Sequence, residues 1–143
     1  MTSQKLKPYK FHRGVSFYET DAMGIVHHSN YLRFFEECRV SWFKAREADK
    51  ITWKQGVSFP VIESSCRHYK PARFDDQLEI GLQVQLEGVR AHFRYSVHKL
   101  PDGILIASGT TLHVPVDNEF KVCKMPKEFI SVIEREPWTE TWP

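Results

Sequence analysis

The sequence has little of what a metal, disulfide or membrane-based design needs. Its three cysteines, Cys38, Cys66 and Cys123, are odd in number and far apart, with no Cys-x-x-Cys pair, so neither a disulfide framework nor a structural zinc site is encoded. Buried free thiols are the expected state. No apolar run approaches the roughly 18–20 residues needed to cross a bilayer, and the first ten residues, MTSQKLKPYK, lack the apolar stretch of a secretion signal. The expected location is therefore the cytoplasm. Charge of one sign is missing as well: 20 Lys and Arg stand against 18 Asp and Glu, a net of +2. Without a basic stripe, a zinc-finger pattern or an RNA-binding aromatic signature, nucleic acid is not expected as the main partner. Internal repeats, low-complexity tracts and linkers are lacking too.

What remains is a globular chain of 143 residues, 41% hydrophobic and 13% aromatic, of a length that suits one domain over residues 1–143. Its core is expected at about residues 9–133, with a C-terminal tail at 134–143. Phe11, Val15 and Phe17 suggest a first strand with one covered face. From Asn30 to about Ala48 the period becomes helical, with Tyr31, Phe35, Cys38, Trp42 and Ala45 at spacings of four and three. This reads as one amphipathic helix of about five turns. Ser29 or Asn30 would cap its start, and Asp49 and Lys50 would mark its fraying end. Val57 to Tyr69 reads as a strand that stops at Lys70-Pro71. Alternation at Leu78, Ile80, Leu82, Val84 and Leu86, then at Ala91, Phe93, Tyr95 and Val97, gives two strands joined at Gly88. Pro101-Asp102-Gly103 turns the chain into a third, from Ile104 to Val114. Pro126 opens a short helix over Lys127–Ile133, and the tail from Pro137 looks loose despite two tryptophans.

The predicted architecture is an α+β fold in which an antiparallel five-stranded sheet is covered by one long central helix. The other sheet face would stay partly apolar, which leads to the expectation of a homo-oligomer.

Chemistry concentrates in the connection between the first strand and the helix, Tyr18 to Tyr31, which holds an acid, a glycine, two histidines, an Asn and a Tyr. Asp21 suits an acid, base or nucleophile, and Gly24 lets backbone approach a ligand. Amides at the helix start, near His28, Ser29 and Asn30, suit developing negative charge. By themselves these residues also fit a turn and a cap. His27 and His28 do not read as a metal pair, since neighbouring side chains point apart and no third ligand is placed nearby. Glu36 and Arg39, three apart on the helix, read as a surface pair.

The run Tyr18-Glu19-Thr20-Asp21-Ala22-Met23-Gly24-Ile25-Val26-His27-His28-Ser29-Asn30-Tyr31, with Phe34, Glu36 and Arg39 after it, resembles the signature of hotdog-fold acyl-CoA thioesterases of the 4-hydroxybenzoyl-CoA thioesterase type. Phe59-Pro60-Val61 and Tyr69-Lys70-Pro71-Ala72-Arg73-Phe74-Asp75-Asp76 resemble the family's later strand and proline turn. The resemblance spans roughly Tyr9 to Ile133. It implies the hotdog fold and hydrolysis of an acyl-CoA thioester to free acid and coenzyme A. Asp21 would be the nucleophile or general base, and the helix N-terminal amides would form the oxyanion site. His28 would polarise the thioester oxygen through its N–H, and its side chain would orient substrate or shuttle a proton. Tyr31, Phe59 and Val61 would line the acyl pocket, and Arg90 would meet the coenzyme A phosphates, with Lys70 and Arg73 as weaker candidates. Met23 departs from the small residues common at its position and would narrow the pocket. No metal or other cofactor is implied. The partners would be the acyl-CoA substrate and further copies of the chain, as a tetramer or dimer with sites between subunits. Alternatives are a pathway-specific thioesterase, acting on 1,4-dihydroxy-2-naphthoyl-CoA or on acyl carrier protein, and a non-catalytic acyl-CoA-binding module.

Overall fold

The computed structural model describes residues 5–143. Strand β1 (Tyr9–Gly14) leads through one 3-10 turn (Phe17–Glu19) to helices α1 (Ser29–Ala45) and α2 (Ala48–Gln55). Strands β2 (Val61–His68), β3 (Gln77–Glu87), β4 (Arg90–Leu100) and β5 (Ile104–His113) follow, then α3 (Lys127–Glu134). All five strands form one antiparallel sheet in the order β1-β3-β4-β5-β2. This is the α+β hotdog layout expected from the sequence: β3, β4 and β5 are consecutive hairpins, and α1 packs across the face they present.

Alternation decides which face is covered. Leu78, Ile80, Leu82 and Val84 of β3, with Phe93, Tyr95 and Val97 of β4, are buried with Phe34, Phe35, Cys38 and Trp42 of α1. Phe35 stacks on Tyr95 with ring centroids 4.5 Å apart. The approach is close because β5 offers Gly109 at that point, where a Cβ would collide with the Phe35 ring and the Ser65 carbonyl. A polar chain is buried in the same layer. Arg39 Nη1 donates to Tyr95 OH (3.1 Å), Tyr95 OH meets Thr111 Oγ1 (2.6 Å), and Thr111 Oγ1 meets His113 Nε2 (2.9 Å). His113 Nδ1 lies 2.9 Å from the Phe59 carbonyl, and burial brings its imidazole down from 6.5 to about 4.

Several local expectations change. The first strand ends at Gly14, and Phe17 belongs to the 3-10 turn. The long helix stops at Ala45 rather than near Ala48, because Glu47 takes a left-handed conformation (φ 56°), and the residues expected to fray begin a second helix. Neither Ser29 nor Asn30 caps α1: the cap position is His28, without a side-chain cap bond. Cys38 is buried, whereas Cys66 and Cys123 are only half-buried.

The largest difference lies on the outer sheet face, which is polar and covered by the chain's own tail. Gln83, Arg94, Ser96 and Ser108 are buried there. The Arg94 guanidinium carbon lies 3.7 and 4.6 Å from the ring centroids of Trp138 and Trp142, while Thr139 N–H donates to Gln83 Oε1 (3.0 Å). Trp142 Nε1 donates to the Tyr95 carbonyl at 3.2 Å. The tail is thus docked rather than loose, and cation–π contacts do the docking in place of an apolar patch.

Candidate active site

Asp21 sits in a tight turn whose base is the bridge between Thr20 and Val26. Asp21 N–H donates to the Ile25 carbonyl, and Gly24 N–H donates back to the Asp21 carbonyl, both at 2.9 Å. The turn closes because Gly24 accepts φ 77°. Met23 N–H donates to Asp21 Oδ1 at 2.8 Å, and Oδ2 accepts nothing from the described residues. One carboxylate oxygen is therefore held and the other left available.

The start of α1 lies beside this turn. Its early amides are mostly engaged: Ser29 N–H donates to His27 Nδ1 (3.2 Å), Asn30 N–H to the His27 carbonyl (2.9 Å), and Tyr31 N–H to the His28 carbonyl (3.3 Å). Among the described residues the His28 N–H has no acceptor. A free amide at the positive end of a helix can receive a developing oxyanion. The His27 and His28 rings do not diverge as expected but lie 4.2 Å apart, tilted by 32°. Among the described residues no group of three His, Cys, Asp or Glu side chains is placed to hold a metal ion.

A cavity of about 460 Å³ joins these elements. Asp21, Met23, Ile25, Val26, His28 and Tyr31 line it from the turn and helix, and His68, Tyr69, Lys70 and Pro71 line it from the end of β2. The second motif is brought against the first by Val26 N–H donating to the Ala72 carbonyl (2.8 Å) and by the bridge between Ile25 and Arg73. Tyr31 meets His68 edge-to-face at 5.0 Å. Burial, above all, pushes the Tyr31 phenol up to about 12, so it remains a neutral donor. Burial, and then the neighbouring His28, hold the His68 imidazole below its ordinary value and keep it neutral near pH 7.

Asp21, His28 and Tyr31 are thus brought together. Phe59, Val61 and Arg90 are not brought to them within the chain. Phe59 stacks on Phe129 at 4.4 Å near the other end of α1, and Val61 is exposed at the start of β2. Arg90 opens β4 at the opposite end of the sheet from the turn, on the order of 30 Å along the strand. In the sequence His68 carries no assigned role, and Tyr69 stands only as the first residue of the second motif. The signal that could have found them was the Tyr69-to-Asp76 motif, whose match implied proximity to the first one.

Residues 15–133, most of the chain, match the family described as the thioesterase-like superfamily. The acyl-CoA thioester hydrolase YbgC of Escherichia coli O6:H1 is 28% identical over 120 residues, covering 82% of this chain and 89% of its own. The 1,4-dihydroxy-2-naphthoyl-CoA hydrolase of Nostoc punctiforme is 27% identical over 132 residues, covering 88% and 86%. The crystal structure of a hypothetical protein, AQ1494, from Aquifex aeolicus superimposes with a TM-score of 0.81 at 35% identity, covering 88% of this chain and 99% of that one.

Proposed function

The chain belongs to the thioesterase-like superfamily and is a thioester hydrolase, and from that premise we propose that it cleaves acyl-CoA to a free carboxylic acid and coenzyme A with Asp21 as nucleophile or general base. One observation carries this reading: a carboxylate with one oxygen unengaged and a helix-start amide without an acceptor line the same cavity. With the thioester carbonyl between them, His28 N–H stabilises the oxyanion while oxygen attacks carbon. If Asp21 attacks directly, the C–S bond breaks from the tetrahedral intermediate, the thiolate leaves, and water then hydrolyses the acyl-aspartyl anhydride. If Asp21 acts as base, it takes a proton from the attacking water and the same C–S bond breaks. Coenzyme A is a good leaving group, so neither route requires a metal or redox cofactor.

The acyl group lies against Met23, Val26 and Tyr31, with the His28 side chain orienting it. Lys70, at the rim, and Arg73, whose guanidinium lies by Gly24, meet the phosphates from this side. Phe59, Val61 and Arg90 act from a second copy. A homo-oligomer suits β2, which among the described residues pairs with β5 alone, leaves its other edge open, and is exposed along nearly its whole length, with its last residue, His68, lining the cavity. No described helix is long and apolar enough to cross a membrane, and the proposed setting is the cytoplasm.

The test is release of free thiol from a panel of aromatic and aliphatic acyl-CoAs and acyl carrier protein thioesters. The 1,4-dihydroxy-2-naphthoyl thioester belongs in the panel because a relative is named for it. Asp21→Asn should lower kcat on the order of 10³-fold, the range for losing a positioned base. Binding of acyl-CoA without turnover by the wild type would establish the non-catalytic module instead. Oxygen from labelled water found in Asp21 after a single turnover marks the nucleophilic route.

A further inference from the structure

Asn30, where the sequence suggests a cap, does something else. Its side-chain Nδ2 reaches back over eleven residues and donates to the Glu19 carbonyl at 2.8 Å. The same carbonyl accepts the His27 N–H at 2.9 Å. Glu19 is two residues before Asp21, and His27 is next to His28. These two bonds therefore join the segment leading into Asp21 to the segment carrying the free amide, at the base of the turn where the two diverge.

Glu19 is itself fixed on all sides. It is 95% buried, unusual for a glutamate, and its Oε1 accepts the Ser16 N–H at 2.8 Å and an Arg13 Nη2 proton. Arg13 donates from Nη1 to both Glu37 oxygens at 2.9 Å, and its guanidinium covers the Phe34 ring at 4.2 Å. Strand β1, the 3-10 turn and α1 are thereby tied to one residue. Arg13 and Glu19 are largely buried and Glu37 is exposed, and such an ion group adds little net stability, because desolvation of the buried pair offsets attraction. Its value lies in giving the Glu19 carbonyl a single position.

We propose that Asn30 is a positioning residue for hydrolysis: through the Glu19 carbonyl it sets the separation between the Asp21 carboxylate and the His28 amide. The inference rests on the reading of Asp21 given above. Neither group is on a rigid element, since Asp21 is in a turn and His28 precedes the helix, so their spacing needs a tie of its own. Asn30 touches no reacting atom. It acts on the distance between two groups that do.

The experiment measures kcat and KM for acyl-CoA hydrolysis and thermal unfolding for Asn30→Ala, Asn30→Asp, Asp21→Asn and the double variant Asn30→Ala/Asp21→Asn. Asn30→Asp keeps size and removes the donor, so a tie is lost without a cavity if the alanine variant folds poorly. Both single changes at position 30 should lower kcat on the order of 10- to 100-fold, the penalty for a misplacement near 1 Å, while KM stays near the wild-type value. In the Asp21→Asn background the alanine change should cost little more, because there is no carboxylate left to position. Equal factors in both backgrounds, or wild-type kcat in Asn30→Asp, would overturn the inference while leaving the role of Asp21 standing. Full activity in Asp21→Asn would overturn the role of Asp21 and the inference with it.

Discussion

At its C-terminal end, α1 buries Trp42 among Phe43, Phe93 and Phe129, with centroids 5.1, 5.4 and 6.2 Å away, and the Trp42 indole N–H and the Arg46 guanidinium there have partners. Trp42 Nε1 donates to Glu136, and Arg46 Nε donates to the same carboxylate at 3.0 Å. At its N-terminal end the same helix keeps His28 exposed, leaves an amide without an acceptor and faces a cavity. The difference teaches that stability and chemistry are divided along one helix. The closed end contributes burial, and the open end keeps donors and a carboxylate free for a substrate to satisfy.

Crossed substitutions would break this division most directly. Trp42→Ala should cost about 4 kcal/mol of unfolding free energy, as for other buried tryptophans, while turnover by the folded fraction stays near wild type. Asp21→Asn should do the reverse, lowering turnover on the order of 10³-fold with an unchanged melting temperature. Calorimetry and thiol release on both variants check the pair, and a large loss of both properties in either one would refute it.

Acid titration separates the ends more finely. His113 belongs to the closed region and titrates near 4 in the folded chain against 6.5 unfolded. Above about pH 6.5 it is neutral in both states and its contribution is fully present. As pH falls toward 4 the unfolded chain takes up a proton that the folded one refuses, so about 3 kcal/mol is lost across that window. Denaturant melts at several pH values should show a shallower acid loss in His113→Gln.

Removing the cation that holds the tail, Arg94→Ala, should cost about 2 kcal/mol and expose residues 137–143 to protease, with kcat unaffected. Smallest of all is Met23→Ala at the exposed cavity mouth. It should change the kcat/KM ratio between bulky and short acyl groups by about 3-fold, with no change in melting temperature.

The closed region was largely legible in the sequence. Alternation in β3 and β4 placed Leu78 to Val84 and Phe93 to Val97 on one face, since strand periodicity is local information. Asp21, His28 and Tyr31 were legible because one short segment carries them all. His68 and Tyr69 were not, because their approach to Tyr31 depends on the pairing of Val26 with Ala72, a contact across 46 positions that no local period encodes. The break between α1 and α2 was hidden for a different reason: Glu47, rather than a glycine or proline, takes the left-handed turn. The docked tail was hidden because Arg94 and Gln83 occupy the alternate positions that normally face solvent.

That tail gives the protein an optical signature. Its four tryptophans occupy three kinds of surroundings: Trp42 is enclosed, Trp53 is 91% exposed, and Trp138 and Trp142 flank one guanidinium. Peeling the tail from the sheet moves two indoles at once from a cationic neighbour into water while the other two stay put. Fluorescence emission can therefore follow tail release separately from unfolding of the core, with Trp42 reporting the second event.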